Sequence, residues 1–280
     1  MSQSATADTQ SQAAALPQAS NRRLLIILYS AAVFLYWMAL YLYVPTLPVY
    51  VESKAQNLTL VGTVLSMYGL WQALIRLPLG IVADWLGRRK PFILIGFMLA
   101  GLGAWTMGVA DNATGLLIGR AITGLAAGTW VPLIVVFNSL FRPEEAVRAT
   151  ALLNLIGSVG RILATSVNGS LNKLGGYSLA FFLATGSAAL AILIILPTHE
   201  AHRPRRKPSA GNVGRLVTRR DVLLPSVLAA VSQYANWAAT FGFMPILAAG
   251  LGADGVMQSM LVSLSILGVT LGNLGMSTFA

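Results

Sequence analysis

No cysteine occurs in the 280 residues, so neither a disulfide nor a thiolate metal site is available. Histidine is nearly as scarce. His199 and His202 form an HxxH pair in a polar stretch without a third ligand, and a solvated loop accounts for them better than a metal site does. Charge is the larger shortage: 10% of residues are charged against a hydrophobic share of 56% and a mean hydropathy of +0.70, far from an ordinary soluble domain. None of the nine acids falls within a long apolar run, which removes the paired buried carboxylates of an intramembrane hydrolase. A polytopic transferase would need a loop-borne acidic or histidine site, and none is found. The sequence therefore reads as no enzyme, with no catalytic residue, no metal and no cofactor.

What the chain has instead is apolar runs long enough to cross a bilayer, for which about 20 residues suffice. Eight spans are expected, at 23–49, 58–83, 91–110, 113–139, 146–170, 177–197, 222–249 and 256–279. Residues 1–21, rich in Ser, Gln, Ala and Thr, read as a disordered cytoplasmic tail. The first apolar run is too long for the h-region of a signal peptide. The expected organisation is a six-helix transmembrane bundle over 22–197, a basic cytoplasmic loop over 198–221 and an incomplete second bundle of two helices over 222–280. The fold class is an all-α polytopic membrane protein.

Placing the amino terminus in the cytoplasm puts 14 of the 19 cations inside and only Lys54 and Lys173 outside, as the positive-inside rule asks. Arg76, Arg120 and Arg161 lie within spans. The net charge of +10 and the segment RPRRKPSAGNVGRLVTRR (Arg203 to Arg220) could suggest nucleic acid. Its place between spans points to topology and anionic lipid, and the aromatic interleaving of a nucleic-acid platform is missing. The expected surroundings are the lipid bilayer of a plasma (inner) membrane.

Polar residues inside the spans form a pattern. Asn154, Ser158, Arg161, Thr165, Asn168 and Asn172 follow at steps of three and four, which places them on one face of span five. A stripe of that length favours a water-filled path over a single interhelical hydrogen bond. Gly157, Gly160 and Ala164 beside it permit close helix packing. Span seven repeats the pattern through Ser226, Gln233, Asn236 and Thr240. Arg120 sits a few residues into span four, with Gly124 and Gly128 continuing its face at steps of four. Three arginines and no acid within spans would suit an anionic group. The expected substrate or coupling cavity comprises Arg120, Asn154, Ser158, Arg161, Thr165, Gln233 and Asn236. NLT at Asn57, NAT at Asn112 and NGS at Asn168 match the glycosylation sequon, but so short a match is uninformative.

Between spans two and three stands GIVADWLGRRK. Its Gly80, Asp84, Gly87, Arg88 and Arg89, in the order GxxxDxxGRR, resemble the signature loop of the major facilitator superfamily. RAITGLAAG, with Arg120, Gly124 and Gly128, is similar to the family's arginine-containing fourth-helix motif. PTLP (Pro45 to Pro48), GGYSLAFF (Gly175 to Phe182) and the long basic loop fit as well, so the resemblance covers about residues 22–280. It implies a secondary transporter whose two six-helix bundles rock about a central site to give alternating access. It also implies that Asp84 meets the amino end of a second-bundle helix and latches the cytoplasmic side shut. Arg88, four residues on, is the expected ionic partner of Asp84.

The resemblance implies transmembrane transport of a small-molecule substrate, driven by a proton or other coupling ion, with efflux of drugs or sugars as the leading expectation. An organic-anion carrier using the buried arginines is the alternative, and a non-transporting membrane sensor or assembly protein is another. Two features depart from the drug/proton antiporter pattern. Span five reads GSVGRILA (Gly157 to Ala164) without the Gly-Pro pair, and span one offers tyrosines and Trp37 where many proton-coupled members place an acid. Twelve spans need about 400 residues at this length per span. The chain is therefore expected to be a truncated form that lacks four helices and transports nothing by itself.

Overall fold

The computed structural model describes residues 19–55, 57–200 and 219–279. Among them every regular element is helical and no strand occurs. The elements are α1 (Ala19–Tyr41), α2 (Leu47–Lys54), α3 (Leu58–Leu86), α4 (Lys90–Gly108), α5 (Ala113–Gly128) and α6 (Trp130–Asn138). A 3-10 turn (Pro143–Glu145) leads into α7 (Ala146–Ile195). After it come α8 (Arg220–Trp237), a π-helical segment (Ala238–Phe243), α9 (Met244–Gly250) and α10 (Gly255–Phe279).

Six stretches are long and apolar enough to cross a membrane, and the differences from eight have local causes. The fifth stretch holds two expected spans, because α7 runs through residues 146–195 but breaks at Gly175 and Gly176, the latter at φ 68°. That left-handed value is natural to glycine, and it divides the element into α7a (146–174) and α7b (177–195). The seventh span is not among the six. Arg220 and Asp221 open α8, the helix that carries most of it, Gln233 and Asn236 lie within α8, and Pro245 removes a backbone donor just after the π-helical segment. Prolines shape two other spans. Pro45 and Pro48 flank the place where α1 gives way to a turn and then α2, and Pro132 follows the offset between α5 and α6.

The core forms where α1 packs on α7a, α3 and α4 on α5, and α4 on α7b. Tyr36, Tyr43, Phe97, Phe137 and Phe181 are among the largest fully buried side chains. Side chains bind the helix ends at both faces of this bundle. At the end carrying residues 87–89, the loop end, Arg22 pairs with Glu145 at 2.5 Å and donates to the Leu140 carbonyl at 2.6 Å. At the far end Asn57 and Asn112 cap α3 and α5, accepting from the Leu60 and Gly115 N–H groups at 2.8 and 2.9 Å.

The second unit contributes α8 to α10. α10 packs along α7a, whereas α8 buries none of its residues. Residues 1–18 and 201–218, with them most of the expected tail, most of the basic loop and His202, lie outside the described residues.

Candidate functional site

The loop after α3 is built around Gly87, which ends the helix in the left-handed region at φ 65°, its N–H bonded to the Ala83 carbonyl. The reversal redirects the chain, and the expected partner changes with it. Asp84 pairs with Arg89 rather than Arg88, because a left-handed residue between positions 84 and 88 destroys the helical i, i+4 geometry. Arg88 is exposed. The Glu200 carboxylate accepts from the backbone N–H groups of Arg89 at 2.8 Å and Lys90 at 2.8 Å, which open α4. An anion at a helix amino end meets unsatisfied donors and the positive end of the dipole. Lys90 in turn donates to the Leu196 carbonyl at 2.7 Å and to that of Thr198. The loop is thereby fixed to the segment following α7b. Gly80, Ala83, Asp84 and Arg89 line a recess closed on its other side by Val131, Pro132 and Val135 of α6. Asp84, half-exposed, stands at its rim.

The polar stripe of α7a divides into two parts. Toward the far end its residues bond across helices: Thr46 donates to Asn168 Oδ1 at 2.8 Å, Asn168 Nδ2 to the Leu42 carbonyl at 2.7 Å, and Asn172 Nδ2 to Thr46 Oγ1 at 2.7 Å. The same part meets α10. Thr165 and Ser263 share a hydrogen bond of 2.7 Å, and the Gly169 N–H donates to Ser259 Oγ at 2.8 Å. Helix contact is closest at Gly169, where an added Cβ would lie 2.2 Å from the Gly255 carbonyl oxygen. Lys173 and Asp254 pair at 2.8 Å beyond it. These residues are packed between helices where a water-filled path was expected.

Toward the loop end the stripe continues through Arg161, Ser158 and Asn154. Arg161 Nη2 donates to Ser158 Oγ at 2.9 Å, Ser158 is buried, and Asn154 is exposed. On α8, Gln233 and Asn236 are exposed as well, and Thr240 is buried and donates to Asn236 at 3.3 Å. Contact between the two units is therefore concentrated at the far end, and it is lost toward the loop end, where α8 stands clear.

Between these regions lies an arginine–aromatic cluster. The Arg120 guanidinium sits 4.4 Å from the Tyr68 ring centroid, and that of Arg161 sits 4.7 Å from Trp37 and 5.9 Å from Tyr41. Each such contact contributes about 0.5–2 kcal/mol, more when desolvated, so it offsets only part of the several kcal/mol that an arginine costs at membrane depth. Tyr68 stacks on Trp237 at 5.2 Å, and Tyr41 meets Phe241 edge-on at 5.9 Å. Aromatic rings thus link α1 and α3 to the α8 end and π segment. Gly124 brings α5 against α3: a Cβ there would lie 2.6 Å from the Tyr68 carbonyl oxygen. At Gly157 and Gly160 α7a closes in the same way on Trp37 and Phe34 of α1. Arg76, by contrast, is exposed on α3.

Sequence reasoning brought Arg120, Ser158 and Arg161 to this region but missed Tyr68, Trp237 and Phe241. It also missed Glu200 and the Lys173–Asp254 pair. The only available signals were an acid directly after an apolar span and opposite charges in two turns of the same side.

A multi-pass membrane protein, all-helical among the described residues, defines the class. The family model of the Major Facilitator Superfamily matches residues 29–279. The chain is 27% identical over 163 residues to the inner membrane transport protein YajR of Escherichia coli (strain K12), covering 56% of this chain and 35% of that protein. It is 23% identical over 192 residues to the quinolone resistance protein NorA of Staphylococcus aureus, covering 68% and 48%. Among solved structures, a bacterial homologue of the human lysosomal transporter Spinster, inward-facing and unoccupied, superposes with TM-score 0.75 at 15% identity, over 94% of this chain and 64% of that one. A D-xylose–proton symporter gives 0.60 at 12% identity, over 87% and 65%. The chain belongs to the Major Facilitator Superfamily, a family of membrane transporters. It spans about a third to a half of the length of these curated relatives.

Proposed function

We propose that this chain carries the first bundle and the opening helices of the second bundle of a secondary transporter that moves a small solute by alternating access, with its amino terminus in the cytoplasm. One observation carries the reading: α7a and α10 close on each other at the far end through Gly169, Ser259 and the Lys173–Asp254 pair, while α8 stands apart toward the loop end. With the amino terminus in the cytoplasm, this supports an inward-open arrangement about a cluster of arginines and aromatic rings. Export of drug-like solutes is the leading direction, supported by the relation to a quinolone resistance protein; a proton or another ion supplies the drive. An organic-anion carrier is the second reading, favoured by Arg120 and Arg161.

The test is sided accessibility in membrane vesicles. In a full-length transporter a single cysteine at position 154 should react with an impermeant thiol reagent from the loop side and be protected by a transported solute such as a quinolone. Its reactivity from one side only, unchanged by any solute of a broad panel, would contradict alternating access and favour a sensor or assembly role.

The signature loop is proposed as half of a cytoplasmic latch. Asp84 at the rim of the α3–α6 recess is placed to receive the amino end of a second-bundle helix when the cytoplasmic side closes. In a full-length transporter Asp84→Asn should bias the molecule toward inward-facing and slow transport several-fold without impairing insertion. Unchanged uptake rates and unchanged cytoplasmic cysteine labelling would refute the latch.

The far-end pair should respond to acid. Lys173, and after it the Met257 N–H, hold the Asp254 carboxyl below the usual carboxylate range. A depressed folded-state value means that the stabilisation is present above the ordinary carboxylate value and is lost as pH falls through the depressed one. The pair is exposed, so its contribution is small and screened by salt. The difference in unfolding midpoint between the unaltered chain and Asp254→Asn should therefore be small at neutral pH and vanish as the solution is acidified through the depressed value; a difference that persists in acid would show that the pair does not titrate in this way.

A further inference from the structure

The arginine–aromatic cluster raises a question of charge balance. Four ion pairs occur among the described residues, and each lies at a helix end or in a connection: Arg22–Glu145, Arg89–Asp84, Lys173–Asp254 and Arg219–Asp221. Arg120 and Arg161 belong to none of them. Arg120 is 5% exposed and its Nε has no hydrogen-bond partner. The Nε of Arg161, the Trp37 Nε1 and the Tyr68 hydroxyl are likewise buried and without hydrogen-bond partners, while the Tyr43 hydroxyl lies against Arg120 and Thr123. Four unsatisfied donors, two of them on the arginines themselves, thus lie at two cations that no carboxylate neutralises. Tyr41 links the cluster, being within electrostatic reach of both arginines. Buried donors without acceptors are uncommon in native proteins, and uncompensated buried cations more so.

We propose that this cluster binds an organic monoanion with a flat aromatic body, its carboxylate accepting from the edges of Arg120 and Arg161. The proposal deepens the transport reading and rests on it. The faces of both guanidinium groups are already taken by Tyr68 and Trp37. Arg161 spends one Nη2 donor on Ser158, and the Nε edges of both arginines remain unsatisfied, donors of the kind a carboxylate matches. The Tyr41, Trp237 and Phe241 rings supply walls for the aromatic part, offset stacked and edge-on contacts being the favoured geometries. A cation would meet two like charges, and a neutral amide would leave the guanidinium charge uncompensated.

The experiment uses the purified chain in a neutral detergent, which excludes anionic lipid as a competing source of negative charge. Three isosteric probes are titrated by calorimetry with tryptophan fluorescence in parallel: 2-naphthoate, 2-naphthamide and 2-naphthylmethylammonium. The carboxylate should bind at least tenfold more tightly than the amide, and the ammonium should show no saturable binding. Equal concentrations of acetate should fail to displace naphthoate, and displacement by acetate would overturn the aromatic part. Arg161→Gln should reduce the carboxylate's advantage over the amide at least fivefold, with Arg161→Lys intermediate. Should the arginine variants unfold, the preference among the three probes on the unaltered chain still decides the matter. Equal binding of carboxylate and amide, or tighter binding of the ammonium, would overturn the proposal. Failure here leaves the vesicle experiment at position 154 intact, since a solute of any charge that protects that cysteine sustains transport while removing the anion.

Discussion

Gly169→Leu should open the far end. The added Cβ would lie 2.2 Å from the Gly255 carbonyl oxygen, 2.4 Å from its carbonyl carbon and 2.5 Å from the Val256 Cα. These are backbone atoms and cannot rotate aside, so α7a and α10 must separate. Overpacking of this kind costs about 1–3 kcal/mol, and a bias of that size shifts a two-state equilibrium roughly 5- to 150-fold. The cost falls on the conformation in which the two helices touch, not on the fold of the first bundle. The expected readout is a cysteine at position 259, completely buried between α7a and α10, that becomes reactive from the far side only when Gly169→Leu is also present. Gly186→Leu is the control, because a Cβ there meets nothing within 4 Å.

Gly124→Val should act on stability instead. Its Cβ would press on the Tyr68 carbonyl oxygen at 2.6 Å and the Tyr68 Cα at 3.0 Å. The contact is again with backbone, this time inside the first bundle where α5 crosses α3. A loss of about 1–3 kcal/mol corresponds to several degrees in the unfolding midpoint, at roughly 2–4 °C per kcal/mol for a protein of this size. Because the displaced residue is the one beneath the Arg120 guanidinium, the preference for 2-naphthoate should weaken too. Gly69→Ala, with open space around its Cβ, should leave both properties within error. A Gly124→Val protein that melts with the unaltered chain would show that the α3–α5 crossing tolerates separation.

The helical fold was legible because apolar runs of membrane length need no tertiary information to be recognised. The breaks were less so. Gly175 and Gly176 mark the boundary inside α7, as the sequence pattern suggested, yet nothing local tells that α8 ends in a π-helical segment ahead of Pro245. The three asparagines of the sequon matches, uninformative as sequons, have structural roles that the pattern does not disclose. Asn57 and Asn112 precede apolar runs, and each serves as a helix cap, while Asn168 is buried against Thr46 and the Leu42 carbonyl.

The candidate site was legible where it depended on one helix. The steps of three and four along α7a put Ser158, Arg161, Thr165 and Asn168 on one face, and the face is real. Which part of that face meets another helix depends on the partner, and no periodicity encodes it. Thr165 and Asn168 meet Ser263, Ser259 and Thr46, while Asn154 remains exposed. The same limit applies to the aromatic partners. Arg120 could be singled out as a charge in an apolar helix, but Tyr68 lies 52 positions earlier in the chain, and only the crossing at Gly124 brings them together. Asp84 shows how one glycine alters a spacing rule: with Gly87 left-handed, the partner becomes Arg89.

The absence of cysteine from the sequence makes the most direct test of the inward-open arrangement simple. Single cysteines at positions 233 and 259 are labelled with an impermeant thiol reagent in oriented vesicles, one set exposing the loop side and the other the far side. An inward-open molecule gives labelling at 233 from the loop side only and none at 259 from the far side. Labelling at 259 from the far side, with 233 protected from the loop side, would contradict it.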